Sequence, residues 1–383
     1  MTDQSPPFLS IGEPDLTETE IDAVIAILKK GWLTRGEECQ RFEKDFCEKV
    51  QASHALAVSS CTAALHLALL IHNVGPGDEV ILPSLTFAST GHTIVHCGAT
   101  PVFAEIDPRT YCVDPAHVES LINPKTKAIV AVHYAGHPVD LGSLRRIANE
   151  HDLVLIEDAA HALGASFDGE PIGSGKSVAC FSFYTNKNIT TAEGGMLTVP
   201  TEDLLARAER LSLHGLDRDA WKRFADGKKW RYSIEEIGYK YNANDLLAAL
   251  GRAQLSRLDE MQAKRRRVWD GYVDRLNGDE RFILPPEEGR IEHARHLFVL
   301  RLTEESGMAR DDLIDHLRAQ RIGATVHYDP LHLHPAYRDR FGTTEGMLPV
   351  TEGVAKNILS VPIHPKMSEE DVERVVGTLK DFS

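Results

Sequence analysis

Two residues of this 383-residue chain, Asp158 and Lys187, stand where side chains of their type can do chemistry. Asp158 ends the apolar run in LVLIEDAAHALGA. A carboxylate at a strand end can hold the protonated ring nitrogen of a cofactor and turn that ring into an electron sink. Helix capping or simple surface exposure is the ordinary alternative for such an aspartate. Lys187 follows Ser182 in VACFSFYTNKNIT, ahead of the glycine pair Gly194-Gly195. Most loop lysines are solvated charges. One that is partly buried beside a cofactor loses basicity, forms a Schiff base and shuttles protons. The third feature is Ser59-Ser60-Cys61-Thr62, between the apolar run at 55–58 and a helix-like pattern at 63–70. A helix N-terminus carrying hydroxyls suits a phosphate, although an ordinary N-cap by Ser60 or Thr62 uses the same residues. Together these three features spell a pyridoxal phosphate enzyme.

The elements that must position these residues follow from the pattern of apolar runs. Strands are expected at 55–58, 79–82, 101–106, 128–133, 153–157, 178–183 and 196–199, with a helix at 140–150. Strands separated by helical patterns imply an α/β fold with a largely parallel sheet covered on both faces. In such a sheet ligands sit outside the carboxyl ends of the strands. The second half reads differently: a long helix at 245–267, strands at 296–301 and 322–328, and helices at 310–320 and 368–379. The expected organisation is a large cofactor-binding domain at 1–250 and a smaller C-terminal α+β domain at 251–383, on which the N-terminal segment is free to pack. The polar stretch 215–233, with Trp221 and Trp230, reads as a long loop.

Composition narrows the field. Lys and Arg total 42 against 57 Asp and Glu, a net charge of −15, which argues against a general nucleic-acid binder. No apolar run reaches the roughly 18 residues of a membrane helix. The start, MTDQSPPFLS, has neither the positive charge nor the apolar core of a signal peptide. Six scattered cysteines with no C-x-x-C pair fit a reduced, cytoplasmic protein. His327, His332, His334 and His364 match no metal-ligand spacing, so no metal is expected.

Nearly the whole chain resembles the DegT and StrS family of sugar aminotransferases, a branch of the fold-type I pyridoxal phosphate enzymes. The resemblance runs through GWLTRGEECQRFE, SSCTAALHLAL, PSLTFAST, TPVFAEIDPRTY, VHYAGHPVDL, IEDAAHALGA, FSFYTNKNITTAEGGM, GYKYNANDLLAALG, HLFVLRL and VHYDPLHLHPAY. It implies that Lys187 is the Schiff-base lysine and the acid/base of the proton shift, and that Asp158 pairs with the pyridine nitrogen. It also implies that Phe87 stacks on the ring, that Thr62, the backbone of Ala63 and Ser182 hold the phosphate, and that His161 lies beside the ring oxygen. The family shares its sites across a homodimer. By resemblance, GYKYN at 238–242 reaches the neighbouring subunit's phosphate, with Lys240 where the family's commonest form has Asn and Asn242 where it has Arg. Either residue can be the one that makes the contact. Cys61 replaces a common Gly and is expected to pack. His327 and Tyr328, with Trp32 and Thr34, fall in segments that line the sugar pocket.

The reaction implied is a two-step exchange. L-glutamate first converts pyridoxal phosphate to pyridoxamine phosphate, and a nucleotide-linked keto-sugar then receives the amine. VHYAGHPVDL, EDAAHALG and GYKYN look most like members acting on carbon 4, carbon 3 being the alternative, with UDP or dTDP as the nucleotide. Lys228, Lys229, Arg231 and Arg223 are candidates for the sugar's diphosphate, or a solvated face. Sugar dehydratases related to this family carry His in place of the lysine, which Lys187 argues against. A catalytically silent regulator would not need Lys187, Asp158 and Ser182. A dinucleotide-dependent dehydrogenase would need a G-x-G-x-x-G after the first strands, which is not there.

Overall fold

The computed structural model describes residues 6–216 and 233–382. Two helices, α1 (Glu18–Lys30) and α2 (Glu37–Val50), precede the first strand, β1 (His54–Val58). Then come α3 (Cys61–Ile71), β2 (Glu79–Pro83), α4 (Ala88–His96), β3 (Thr100–Ala104), α5 (Pro115–Leu121), β4 (Thr126–Val132), α6 (Leu141–Glu150) and β5 (Val154–Asp158). The short strands β6 (Ser166–Phe167) and β7 (Glu170–Pro171) lead to β8 (Val178–Ser182), β9 (Gly195–Val199) and α7 (Glu202–Ser212).

β1, β9, β8, β5, β4, β2 and β3 form one seven-stranded sheet in that order. β9 runs antiparallel to both its neighbours, β1 and β8, while the pairs from β8 to β3 are parallel. All seven strands expected in this half are present. They were readable because a parallel sheet covered on both faces needs near-continuous apolar runs. In β4, six of the seven residues are buried.

Aromatic packing fixes α2 under the strand that carries Ser182. Phe46 is fully buried, with ring centroids 5.0 Å from Phe181 and 5.8 Å from Phe183. Phe46→Ala is expected to lower the unfolding free energy by about 3–5 kcal/mol, measured by urea titration of the apoprotein.

The C-terminal part is built on a three-stranded sheet, β10 (Phe282–Ile283), β12 (Phe298–Leu302) and β13 (Ile358–Val361), with β12 central. Helices Arg310–Ala319 and Glu369–Asp381 help to cover it. Another short strand, β11 (Ile291–Glu292), pairs instead with β6 of the first half. Leu9 belongs to the apolar core of the C-terminal part, and its backbone bonds to Arg321 and Gly323.

Two expected elements differ. The helix read at 245–267 is two helices, Asp245–Ser256 and Leu258–Leu276. They meet at Arg257, whose φ of −104° and ψ of 6° leave the helical region. Its guanidinium is held by Asp15, Glu20 and Glu260. The second helix therefore starts in the core of the large sheet with Leu258 and Met261, and ends against the small sheet with Trp269 and Tyr272. The strand read at 322–328 forms only isolated bridges, Ile322 with Leu9 and Thr325 with Ser360. A single N-terminal contact on one side and the edge of β13 on the other give it no continuous ladder. The loop read at 215–233 lies almost wholly outside the described residues, as do Trp221, Trp230 and the cations Arg223, Lys228, Lys229 and Arg231.

Candidate active site

The carboxyl ends of β1, β2, β4, β5 and β8 open into one cavity of about 480 Å³. It is lined by Thr62, Phe87, Asp158, His161, Ser182 and Lys187, and closed from the C-terminal part by His327 and Tyr328. The sheet register brings Asp158 beside Cys180 on β8, two residues before Ser182.

Asp158 is buried. Its Oδ2 accepts from Thr90 Oγ1 at 2.8 Å and its Oδ1 from the Ala160 amide at 3.2 Å. Thr90 thus uses its proton on Asp158, so Thr86, 2.8 Å away, donates to Thr90. Burial pushes the Asp158 carboxyl above its ordinary range, against the opposing pull of those bonds and of Lys187. Lys187 lies in the same cavity. Burial brings its amine down to about 8, although Cys61 and Asp158 pull the other way. Its Nζ lies 3.4 Å from His296 Nε2.

α3 starts on this cavity. Its N-cap Ser60 accepts from the Ala63 amide at 3.1 Å. The preceding amides, of Cys61 and Thr62, have no partner within the helix, as at any helix start. The turn sits directly on β9: a Cβ at Gly195 would lie 2.6 Å from Cys61 N and from Ser60 C, so only glycine allows this approach. Phe87, the residue before α4, is 58% exposed although it lines the cavity. His161 accepts the Ala135 amide at Nδ1, so its neutral ring carries the proton on Nε2 and donates to Tyr328 Oη at 3.2 Å. Tyr134 Oη donates to the His327 carbonyl, and His327 Nδ1 lies 2.8 Å from Ser360 Oγ.

Five expected site residues lie elsewhere. Ala63 is buried and its amide is taken by Ser60, so it does not face the cavity. Lys240 and Asn242 lie beyond β1 and bond to each other, Lys240 Nζ to Asn242 Oδ1 at 2.6 Å. Trp32 and Thr34 are exposed in the α1–α2 connection. There Thr34 O accepts the Asp245 amide and Trp32 Nε1 donates to Arg35 O, which holds the connection against the helix Asp245–Ser256 rather than over the cavity.

The structure adds residues that the reading of the sequence missed. Thr90 is the last residue of the PSLTFAST motif, which was quoted without a role for it. His296 begins HLFVLRL, a motif noted for its order in the chain but given no role. Asn186 lines the cavity, and its Oδ1 is buried without a hydrogen-bond partner.

These features fit a flat, phosphorylated heteroaromatic aldehyde. A buried carboxylate stands where a ring N–H can reach it, and an uncovered aromatic face offers stacking. A helix N-terminus with free amides suits a phosphate, and a buried, weakly basic amine suits a carbonyl.

Comparison with known proteins agrees. Residues 14–380 match the DegT/DnrJ/EryC1/StrS aminotransferase family. The Bacillus subtilis spore coat polysaccharide biosynthesis protein SpsC is 43% identical over 379 residues, covering 98% of this chain and 97% of that protein. Spr1654 from Streptococcus pneumoniae, solved in a PMP form, superposes with a TM-score of 0.91 at 33% identity, covering 98% of each chain. The sugar aminotransferase CalS13 from Micromonospora echinospora gives 0.88 at 27% identity, covering 98% of this chain and 100% of that one.

Proposed function

Because the chain belongs to the DegT/DnrJ/EryC1/StrS aminotransferase family, whose members are pyridoxal phosphate-dependent sugar aminotransferases, we propose that it moves the amino group of L-glutamate to carbon 4 of a nucleotide-linked keto-sugar. The observation that carries the aminotransferase chemistry is the pairing of buried Asp158 with a weakly basic Lys187 across one cavity. Carbon 4 rests on VHYAGHPVDL, EDAAHALG and GYKYN; a carbon-3 acceptor would use the same set of residues.

Pyridoxal phosphate supplies an electron-withdrawing ring that stabilises negative charge on the carbon next to the amine. The chain's own residues do the rest. Thr62, the start of α3 and Ser182 would hold the phosphate, Phe87 would cover one ring face, and Asp158 would keep the ring nitrogen protonated. Lys187 Nζ would take the proton from the α-carbon of L-glutamate and deliver it to the cofactor's former aldehyde carbon. His161 would stand beside the ring oxygen, and His327 and Tyr328 would line the wall that the sugar meets. The six cysteines are free thiols, in keeping with a cytoplasmic enzyme.

The test uses L-glutamate alone with the cofactor-loaded protein. Loss of the absorbance band of the lysine-bound cofactor, with release of 2-oxoglutarate and pyridoxamine phosphate, is the expected outcome. A panel of UDP- and dTDP-linked keto-sugars, with NMR of the product, then fixes nucleotide and carbon. An unchanged band would overturn glutamate as donor.

A homodimer with shared sites belongs to the same reading. Lys240 and Asn242 stand free of their own chain's cavity, on a surface from which they could serve a second copy. Co-expressed Lys187→Ala and Lys240→Ala/Asn242→Ala chains are expected to recover activity in mixed dimers, up to about a quarter to a half of that of the unsubstituted protein. No recovery would count against a crossing segment.

A further inference from the structure

The contact between Lys187 and His296 has a defined polarity. His296 Nδ1 lies 3.2 Å from Asn188 Oδ1. The Asn188 amide cannot turn freely, because its Nδ2 already donates to the Leu163 carbonyl at 3.2 Å and the Ala294 carbonyl at 2.8 Å. Its oxygen is thereby directed at the ring, and an amide oxygen only accepts. The neutral imidazole therefore carries its proton on Nδ1 and presents a lone pair at Nε2. Lys187 must be the donor across the 3.4 Å contact.

The surroundings keep His296 neutral. It is buried, and burial first, then Lys187, His161, Arg265 and His327, hold its ring well below the usual histidine range. The His161 ring lies 4.4 Å from it, and Arg265 donates to its carbonyl. Cys61 and Asp158 also act on Lys187, pulling its amine up against the effect of burial. A neutral amine has two N–H groups and one lone pair. With one N–H committed to His296, the lone pair is limited to the two remaining directions on a nitrogen whose side chain lines the cavity.

We propose that His296 is a positioning residue for Lys187: Asn188 fixes its tautomer, and its Nε2 takes one Lys187 N–H so that the amine lone pair faces the cavity. The bond to be formed joins Lys187 Nζ to the aldehyde carbon, with the carbonyl oxygen leaving as water. A misdirected lone pair slows this step without touching the phosphate, ring or carboxylate contacts. The inference rests on Lys187 as the residue that bonds to the cofactor.

The test compares two ligands of the apoprotein. Pyridoxamine phosphate has an amine in place of the aldehyde and cannot bond to Lys187, so its affinity reads the pocket alone. Pyridoxal phosphate reads the pocket and the lone pair together. In His296→Phe, the rate of pyridoxal phosphate capture is expected to fall on the order of 10- to 100-fold, followed by the rise of the lysine-bound band. The Kd for pyridoxamine phosphate is expected to stay within about two-fold. Should the phenylalanine variant fail to fold, His296→Asn, shorter and polar, is expected to give the same split. Parallel loss of both ligands would show a merely structural histidine and overturn the proposal, as would no change in either. Borohydride reduction and peptide mapping of the unsubstituted protein provide the control. Label absent from Lys187 there would overturn the assignment of Lys187 itself, and this inference with it.

Discussion

Lys187→Ala is expected to lower kcat for the complete transamination by about 10⁴-fold or more, with the pocket intact. One side chain would be responsible for both covalent capture and proton movement. General acid–base work alone is typically worth about 10²–10⁴-fold, and loss of the covalent step adds to it. The variant should still bind pyridoxamine phosphate, because Phe87, Asp158, Ser182 and the start of α3 are untouched. Its spectrum should lack the lysine-bound band. The same residue sets a pH dependence in the unsubstituted apoprotein. The reactive form is the free amine, and burial has brought it down to about 8. Pyridoxal phosphate capture should therefore rise with pH through a midpoint near 8, some two units below an ordinary lysine. A midpoint near 10 would mean that Lys187 is solvated and that its burial has no chemical consequence. Retention of more than about 1% of kcat in Lys187→Ala would remove it from the reaction.

Much of the site was legible because a parallel sheet announces itself. Ile156 and Cys180 sit in strands buried on both faces, so the strand ends, and with them Asp158 and Ser182, could be located from apolar runs alone. Contacts made across the chain were not legible. His296 meets Lys187 from 109 positions away and reads in the sequence as the first residue of a core strand. Asp245 is another case. Its buried carboxylate accepts the amides of Gly36 and Cys39 and so caps α2, whose own N-cap, Gly36, has no side chain to do it. A local reading assigns Asp245 to the start of its own helix and nothing more. The break at Arg257 has the same origin. No proline or glycine marks it, and the ion pairs with Asp15 and Glu20 come from a segment more than two hundred residues earlier. Trp32, Thr34, Lys240 and Asn242 were assigned by resemblance, and within one chain they do not reach the cavity.

Asp158→Asn carries the second large effect. The substitution keeps the shape of the side chain and exchanges a charge for a neutral amide. Oδ2 is paired with Thr90 and Oδ1 with the Ala160 amide, so an asparagine oxygen can retain one of these bonds. The carboxylate itself would be gone. Asp158 is buried, burial pushes its carboxyl above the ordinary range, and among the described residues no cation bonds to it directly, so its charged form is costly in the folded apoprotein. A pyridinium N–H would relieve that burden, and the relief is mutual: the carboxylate keeps the ring nitrogen protonated, and the protonated ring withdraws electrons. Removing the carboxylate leaves a neutral ring as the electron sink. A loss of about 10²–10³-fold in kcat is expected, comparable to removing a single preorganised electrostatic partner from a buried site. KM for L-glutamate should change much less, because in the proposed arrangement Asp158 would meet the ring and not the amino acid. Capture of pyridoxal phosphate at Lys187 should persist, which separates this variant from Lys187→Ala. The decisive control is a cofactor analogue methylated at the ring nitrogen, which is permanently cationic. If Asp158 acts through ring protonation, the analogue should restore much of the activity of Asp158→Asn. If it restores nothing, the carboxylate matters for the packing of Thr90 and β5, and its pairing with the ring nitrogen must be abandoned.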